Sequence, residues 1–345
     1  MLCAMNQRPA RRLALSLLSL LLVLAIPGLQ AAAPKPVKGG YGIVVLPDTQ
    51  MYSWKHPHVY EAQTEWIAEN AKRYNIAYVI HVGDVTQNNV KVEWEAAVSA
   101  HRKMADVVPC ALVPGNHDLG PGGKARSRDS LMSDYFSVAQ FRKTPTFGGV
   151  YDKEPDRIEN NYHLFSVGGR DWLILGLEFG PRDDVLRWAN EVVAAHPKRT
   201  VIMVTHAYLR PDNFRYNRKR LLGEKKKPAG IDAYALSKAE GGYNDGEDLW
   251  NKLVSKHANM TMVLSGHVCY TGLLSSKGEA GNTVHQMLVD YQRDPNGGNG
   301  FLRLLQVAPD GVTVKINDYS PFLDSDSQQP GAHFELKLPD ERQGK

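Results

Sequence analysis

Short apolar runs alternate with amphipathic stretches along most of the chain. Tyr41–Leu46, Ala77–Val82, Ala111–Val113, Val201–Val204 and Met262–Leu264 are brief, rich in β-branched residues and almost free of polar positions. That pattern predicts strands buried on both faces. Between the runs, apolar residues recur at helical spacing: Val59, Ala62, Trp66 and Ile67; Trp94, Ala97, Val98 and His101; Val185, Trp188, Ala189 and Val192; Trp250, Leu253, Val254 and His257. Each set buries one stripe of a helix. Strands alternating with helices define an α/β protein. The stretch Leu119 to Ile158, rich in Gly, Arg, Ser and Pro, interrupts the alternation as an insertion. A hairpin is predicted next, Tyr162–Val167 and Trp172–Leu177 turning at Gly168-Gly169-Arg170-Asp171. After residue 268 the pattern is strand alone: Val284–Val289, Phe301–Val307 and Val312–Ile316.

The first residues follow a different logic. Arg8, Arg11 and Arg12 precede an unbroken apolar stretch, Leu13 to Ile26, closed by Pro27-Gly28 and then Ala31-Ala32-Ala33. This is the layout of a secretory signal cleaved near Ala31. A retained anchor is the alternative, since Leu13 to Ala33 is uncharged and long enough to cross a bilayer; Pro27, Gly28 and the alanines favour cleavage, leaving no membrane span. The organisation expected is a signal peptide over 1–31, a linker over 32–40, one domain over 41–320 and a polar, loosely ordered tail over 321–345. The destination expected is the periplasm or the exterior of a bacterium, and Arg11-Arg12 leaves twin-arginine export open beside the general route.

At 345 residues, with 43% hydrophobic and 23% charged positions, the composition excludes disordered, collagenous and disulfide-stapled classes. Three arginines of the leader account for most of the formal charge of +4. The remainder is close to neutral and gives no ground for a specific nucleic-acid reader. Once Cys3 leaves with the leader, Cys110 and Cys269 remain. In an oxidising compartment they are compatible with one disulfide or with two separate thiols; their placement, one opening an apolar run and one inside a polar loop, favours the thiols.

The chemistry lies where the strands end. They run into Pro47-Asp48-Thr49-Gln50, Gly83-Asp84-Val85-Thr86-Gln87-Asn88, Gly115-Asn116-His117-Asp118, Thr205-His206 and Gly266-His267-Val268-Cys269. Five successive strands thus deliver metal-compatible side chains to one sheet edge. Carboxylates mixed with imidazoles suit Mn, Fe, Zn or Co better than Ca. Singly, such a residue is a turn former or a helix cap; five in order form a shared site.

These motifs resemble those of the calcineurin-like metallophosphoesterase superfamily, across most of the chain after the leader. The resemblance implies a four-layer αββα sandwich of two mixed sheets, with two divalent or trivalent transition metal ions (Mn, Fe or Zn) at one edge. By that resemblance Asp84 is shared between the metals, and Asn116, His206 and His267 hold the second. The first falls to Asp48, Gln50 and Cys269, where Gln and Cys stand at positions the family gives to histidine. Both departures fall on one metal. A retuned first site, with an amide oxygen and a thiolate favouring Zn or Fe, is one reading; the other makes Cys269 a small apolar filler and Gln50 a hydrogen-bonding group.

The resemblance further implies hydrolysis of a phosphomonoester or phosphodiester by a hydroxide bridging the metals. His117 is then the leaving-group acid and Asp118 the carboxylate holding its imidazole. His81 reads as a buried supporting group, and Asn88 as a hydrogen-bonding residue of the second motif's loop. Arg210 to Lys227 carries eight basic residues against two acidic ones. It is either a solvated loop or a rim gripping anionic substrate through Arg210 or Arg215, with Arg126 and Arg128 in a similar role. The substrate expected is a phosphorylated small molecule, a nucleotide or a phosphorylated macromolecule. Two other functions stay open: a nucleotide or pyrophosphate hydrolase, and a non-catalytic or mononuclear binding protein on a degraded scaffold.

Overall fold

A computed structural model describes residues 33–225 and 230–340. The predicted signal peptide, and Lys226 and Lys227 of the basic stretch, lie outside the described residues. Among the described residues there are fourteen strands: β1 Tyr41–Leu46, β2 Ile76–His81, β3 Cys110–Leu112, β4 Phe147–Val150, β5 Asn161–Val167, β6 Arg170–Leu177, β7 Thr200–Thr205, β8 Met260–Ser265, β9 Tyr270–Lys277, β10 Thr283–Asp290, β11 Leu302–Val307, β12 Thr313–Ser320, β13 Ser325–Asp326 and β14 His333–Lys337. They form two mixed sheets of seven. One has the order β13-β12-β11-β1-β2-β3 with β14 also on β12; the other runs β4-β5-β6-β7-β8-β10-β9.

The period of two along each strand separates the layers. Ile43, Val45 and Ile80 of the first sheet meet Trp172, Ile174, Ile202, Val204, Met262 and Leu264 of the second in a core between the sheets. The alternate residues Val44, Leu46 and Val79 pack outward against Val59, Tyr60, Ile67, Trp94 and Ala97, from helices Pro57–Asn70 and Lys91–Arg102. On the far side Leu173, Leu175, Val201 and Met203 face Val185, Trp188, Ala189 and Leu249, from helices Asp183–Ala195 and Gly246–Lys252. Helices therefore cover both outer faces. Because β1, β7 and β8 are buried along their whole length, their middles read as apolar runs without alternation.

Three segments differ from the sequence expectation. Residues 322–340 are not a loose tail: β14 pairs antiparallel with β12 from Thr313↔Lys337 to Asn317↔His333. Leu336 and Leu338 enter the core between the sheets. The segment read as a linker is likewise fastened, Val37 N donating to Gln306 Oε1 at 2.8 Å and the Tyr74 hydroxyl donating to Pro34 O at 2.7 Å. The insertion contributes β4, which extends the predicted hairpin by pairing with β5; its Phe-Gly-Gly-Val sequence carries no strand signal. Cys110 and Cys269 are separate thiols. No described helix is long and apolar enough to cross a membrane.

Candidate metal centre

β1, β2 and β3 run parallel in one sheet, and β7, β8 and β10 run parallel in the other. Their carboxyl ends deliver the motif loops to one place. Asp48 after β1, Asp84 after β2 and His206 after β7 offer ligand atoms that all lie within 4.8 Å of one another, and all three side chains are buried.

Hydrogen bonds fix the polarity of this cluster. His206 Nδ1 donates to the Val82 carbonyl at 2.9 Å. A carbonyl only accepts, so the proton sits on Nδ1 and the Nε2 lone pair points inward. That Nε2 stands 3.1 Å from Asp84 Oδ2, yet it has no hydrogen-bond partner, and neither has the buried Oδ1 of Asn116. A lone pair facing a carboxylate, beside an orphaned amide oxygen, is what a cation would satisfy. The donor set of Asp48, Asp84, Asn116 and His206 thus fits a transition metal.

Backbone strain and glycine shape the cradle. Asp84 at φ 53° and His267 at φ 79° both occupy the left-handed region, which side chains other than glycine adopt at a cost of about 1–3 kcal/mol. A Cβ on Gly115 would collide with Asp84, and one on Gly266 with Asp48. His267 donates its backbone N–H to Asp48 at 3.3 Å, and its ring lies among Phe179, Tyr216, Tyr234 and His206.

The electrostatics are lopsided. Burial pushes the Asp48 carboxyl well above the usual range, and the charges of Asp290 and Asp84 push it further. Burial would raise Asp84 as well, but His206 and His117 outweigh it and hold Asp84 low. Burial opposes a charge on His206; Asp84 overrides this and raises it. His267 is driven down to about 3, chiefly by burial. Buried carboxylates outnumber the cationic groups facing them, an imbalance that bound cations would relieve.

Residues 41–270 match the model of the calcineurin-like phosphoesterase family. The chain belongs to that family. It is 32% identical over 321 residues to an uncharacterized protein of Bacillus subtilis, YvnB; the match takes in 88% of this chain and 22% of the relative. Among solved structures, a purple acid phosphatase from yellow lupin seeds superposes with a TM-score of 0.51 at 14% identity, over 90% of this chain and 56% of that one. A 5'-nucleotidase precursor from Thermus thermophilus gives a TM-score of 0.44 at 14% identity, over 88% of this chain and 56% of that one. The chain thus spans well under two thirds of each of these proteins.

Several side chains of this phosphoesterase-family chain have duties other than those the motifs imply. Asp118 does not touch the His117 ring. It accepts from the amides of Val85, Thr86 and Gly115 and from the Thr86 hydroxyl at 2.7–2.9 Å, pinning the Asp84 loop to its own. The His117 ring is held instead by the Gln87 carbonyl, 2.7 Å from Nδ1, while its backbone N–H donates to Asp84 Oδ1 at 2.8 Å. His81 is a supporting group as expected: its Nδ1 accepts from Gly83 N and its Nε2 meets the Thr49 hydroxyl. Asn88 turns away to Glu93.

The expected phosphate grips are likewise occupied. Arg215 pairs with Glu247, donates to Gln286 and Ser276, and lies over the Trp250 ring. Arg210 pairs with Asp212 and Glu224. Arg128 donates to the carbonyls of Phe179, Gly180 and Gly242. These arginines hold loops together. The first-metal side also differs. Gln50 donates through Nε2 to Asp84 Oδ2 at 3.1 Å and to Gln292 Oε1 at 2.6 Å. Cys269 is half-buried, its thiol pushed up to about 11 by burial and then by Asp290, and it lies outside the three-residue cluster. Asp290 and Gln292 were missed from sequence. A partial signal was there: Met287–Val289 is a short apolar run ending in Asp290, as the other motif strands end, but His285 and Gln286 precede it.

Proposed function

We propose that this chain is an exported metal-dependent phosphoesterase that hydrolyses a phosphomonoester or a phosphodiester. The observation carrying this reading is the buried cluster of Asp48, Asp84 and His206, with His206 Nε2 and Asn116 Oδ1 lacking hydrogen-bond partners beside it. Family membership supports the same reading. Asp84 is the residue able to serve two ions at once, with His206, Asn116 and His267 on one side and Asp48 and Gln50 on the other. When bound, two ions of Mn, Fe or Zn supply charge neutralisation at the phosphoryl oxygens and a water acidified enough to act near neutral pH.

The remaining work belongs to the protein. His117 holds its Nδ1 proton on the Gln87 carbonyl, so Nε2 is the atom that takes up and releases a proton. The imidazole is partly exposed, so a substrate can reach it. Delivered to the departing oxygen, that proton removes the cost of expelling an alkoxide. The buried neighbours keep water from competing for the charges of Asp84 and Asp48.

The test is metal analysis of the purified chain together with assays on mono- and bis-nitrophenyl phosphate. About two transition-metal ions per chain, and turnover that chelation abolishes, are the expected results. A chain that takes up no metal and turns over neither ester would be a binding protein on this scaffold. Export is checked separately by fractionating the expressing bacterium and sequencing the mature N-terminus, expected near Ala31.

A further inference from the structure

We propose that Asp290 and Gln292, immediately after β10, complete the donor set of the first metal ion. They would stand in for the two imidazoles absent at Gln50 and Cys269, giving an oxygen-rich site for a hard divalent cation such as Mn²⁺. This rests on the metallophosphoesterase reading above.

The geometry is a chain of buried and part-buried contacts. Asp290 is wholly buried, and no arginine or lysine bonds to it among the described residues. It accepts from Gln292 N and Gln292 Nε2, both at 2.8 Å. The same Nε2 donates to Asp48 Oδ2 at 3.1 Å. Gln292 Oε1 accepts from Gln50 Nε2 at 2.6 Å, and that nitrogen also donates to Asp84 Oδ2 at 3.1 Å. Two neutral side-chain amides therefore stand among three buried carboxylates, adding their N–H groups to the backbone N–H groups of His117, His267 and Gln292 that also face them.

An amide's nitrogen and oxygen exchange places by a half-turn about the last side-chain bond, with almost no change of shape. With a cation among Asp48, Asp84 and Asp290, that half-turn presents Gln50 Oε1 and Gln292 Oε1 to it. The resulting donors are carboxylate and amide oxygens. Hard oxygen donors favour Mn²⁺ over the softer ions a thiolate would select. His206 Nε2, fully buried and without a hydrogen-bond partner, is aimed at the Asp84 carboxylate oxygen that Gln50 also meets, and so points to a cation on the carboxylate the two sites share. Among the described residues no hydrogen bond joins the Cys269 thiol to these carboxylates and amides, which bond to one another, and this leaves the thiol outside the inferred donor set.

The experiment is Mn²⁺ titration of the full chain by calorimetry, with metal counting by mass spectrometry and Mn²⁺ electron paramagnetic resonance. Wild type is expected to bind about two ions with a spin-coupled spectrum. Asp290→Asn, nearly isosteric, is expected to weaken one site by at least about 10–100-fold and leave an uncoupled, mononuclear spectrum. Gln292→Met should do the same to a smaller degree, and supplies the test should Asp290→Asn fail to fold. Cys269→Ser should leave stoichiometry and spectrum unchanged. Two ions at wild-type affinity in both Asp290→Asn and Gln292→Met overturn this inference alone. So does loss of one ion in Cys269→Ser. A wild-type chain that binds no Mn²⁺, Zn²⁺ or iron overturns this inference and the phosphoesterase reading together.

Discussion

The Nε2 atom of His206 stands 3.1 Å from Oδ2 of Asp84, while its own ring proton is committed to the Val82 carbonyl on the other side. One side chain comes from each sheet, so the two sheets are coupled through this contact. The Val82 carbonyl, two residues before Asp84, decides which nitrogen of His206 faces the carboxylate. Fold and site are therefore not separable here: the loop that supplies Asp84 also orients its partner.

Asp84→Asn is expected to remove this coupling while keeping shape. Metal content should fall and turnover of nitrophenyl phosphates should drop at least about a hundredfold, with the far-ultraviolet dichroism unchanged. Parallel metal counting and kinetics on the purified variant check it. Near-normal turnover would reject a shared Asp84.

His117→Ala removes a proton donor and leaves the buried carboxylates in place. Esters of poor leaving groups, such as alkyl phosphates, should slow by about 10²–10⁴-fold. Nitrophenyl esters, whose leaving group needs little protonation, should slow far less. The ratio of the two rates is the measurement; an equal loss on both would argue against His117 as the acid.

Gly266→Ala tests the close approach of backbone to ligand. A methyl there would collide with Asp48 Oδ1 and crowd Val82. The carboxylate must move or the β8 loop must shift. A weakened first metal site is expected, by about tenfold or more, along with a lower melting temperature in the metal-free chain. Calorimetric titration and thermal melts read the two effects separately.

Much of this was legible beforehand because strands buried on both faces leave unbroken apolar runs, and because the motif loops begin where those runs stop. Asp48, Asp84, Asn116 and His206 were visible for that reason. Asp290 follows the same rule, but its strand lies in the region read as strand alone, where no helix marks the next crossover. The roles of Asp118 and Arg215 were not legible. Which donor a carboxylate accepts from, and which acid a guanidinium meets, depends on contacts such as Asp118 with Val85 or Arg215 with Glu247, which spacing does not encode. The segment after 321 looked like a tail since β14 alternates His, Glu and Lys with its apolar residues and shows only one face to the core.

Acid should destabilise the chain through two buried histidines. Burial lowers His101 to about 4 and His163 to about 3, against 6.5 for an ordinary histidine. Above pH 6.5 neither folded nor unfolded chain binds these protons, so stability does not depend on them. Below it the unfolded chain takes up protons the folded chain refuses, and stability falls by about 1.4 kcal/mol per pH unit for each histidine. His163 Nδ1 is buried without a partner, and its ring contacts Phe141, Phe147 and Tyr78. His163→Phe should therefore flatten the urea midpoint against pH between 6.5 and about 4. An unchanged slope would remove His163 from the acid response.

Arg303, on β11, is wholly buried. Its guanidinium forms a two-point ion pair with Asp318 at 2.6 and 2.7 Å, and a third N–H donates to the Gly331 carbonyl at 3.0 Å. That carbonyl precedes β14, so the buried charge fastens the final strand to the sheet. Arg303→Leu would strand the Asp318 carboxylate, leaving it the Tyr291 hydroxyl alone among the described side-chain donors, and should cost about 3–5 kcal/mol. Arg303→Leu with Asp318→Leu removes both charges and should recover much of that loss, because an apolar pair needs no desolvated partner. Ending the chain at Pro321 tests the same attachment from the other side. It deletes Leu336 and Leu338, each buried side chain contributing about 1.5–3 kcal/mol, and leaves the outer edge of β12 unpaired. A truncated chain with wild-type urea stability would show β14 to be dispensable; a double variant no better than Arg303→Leu would show that the loss comes from packing and not from the stranded charge.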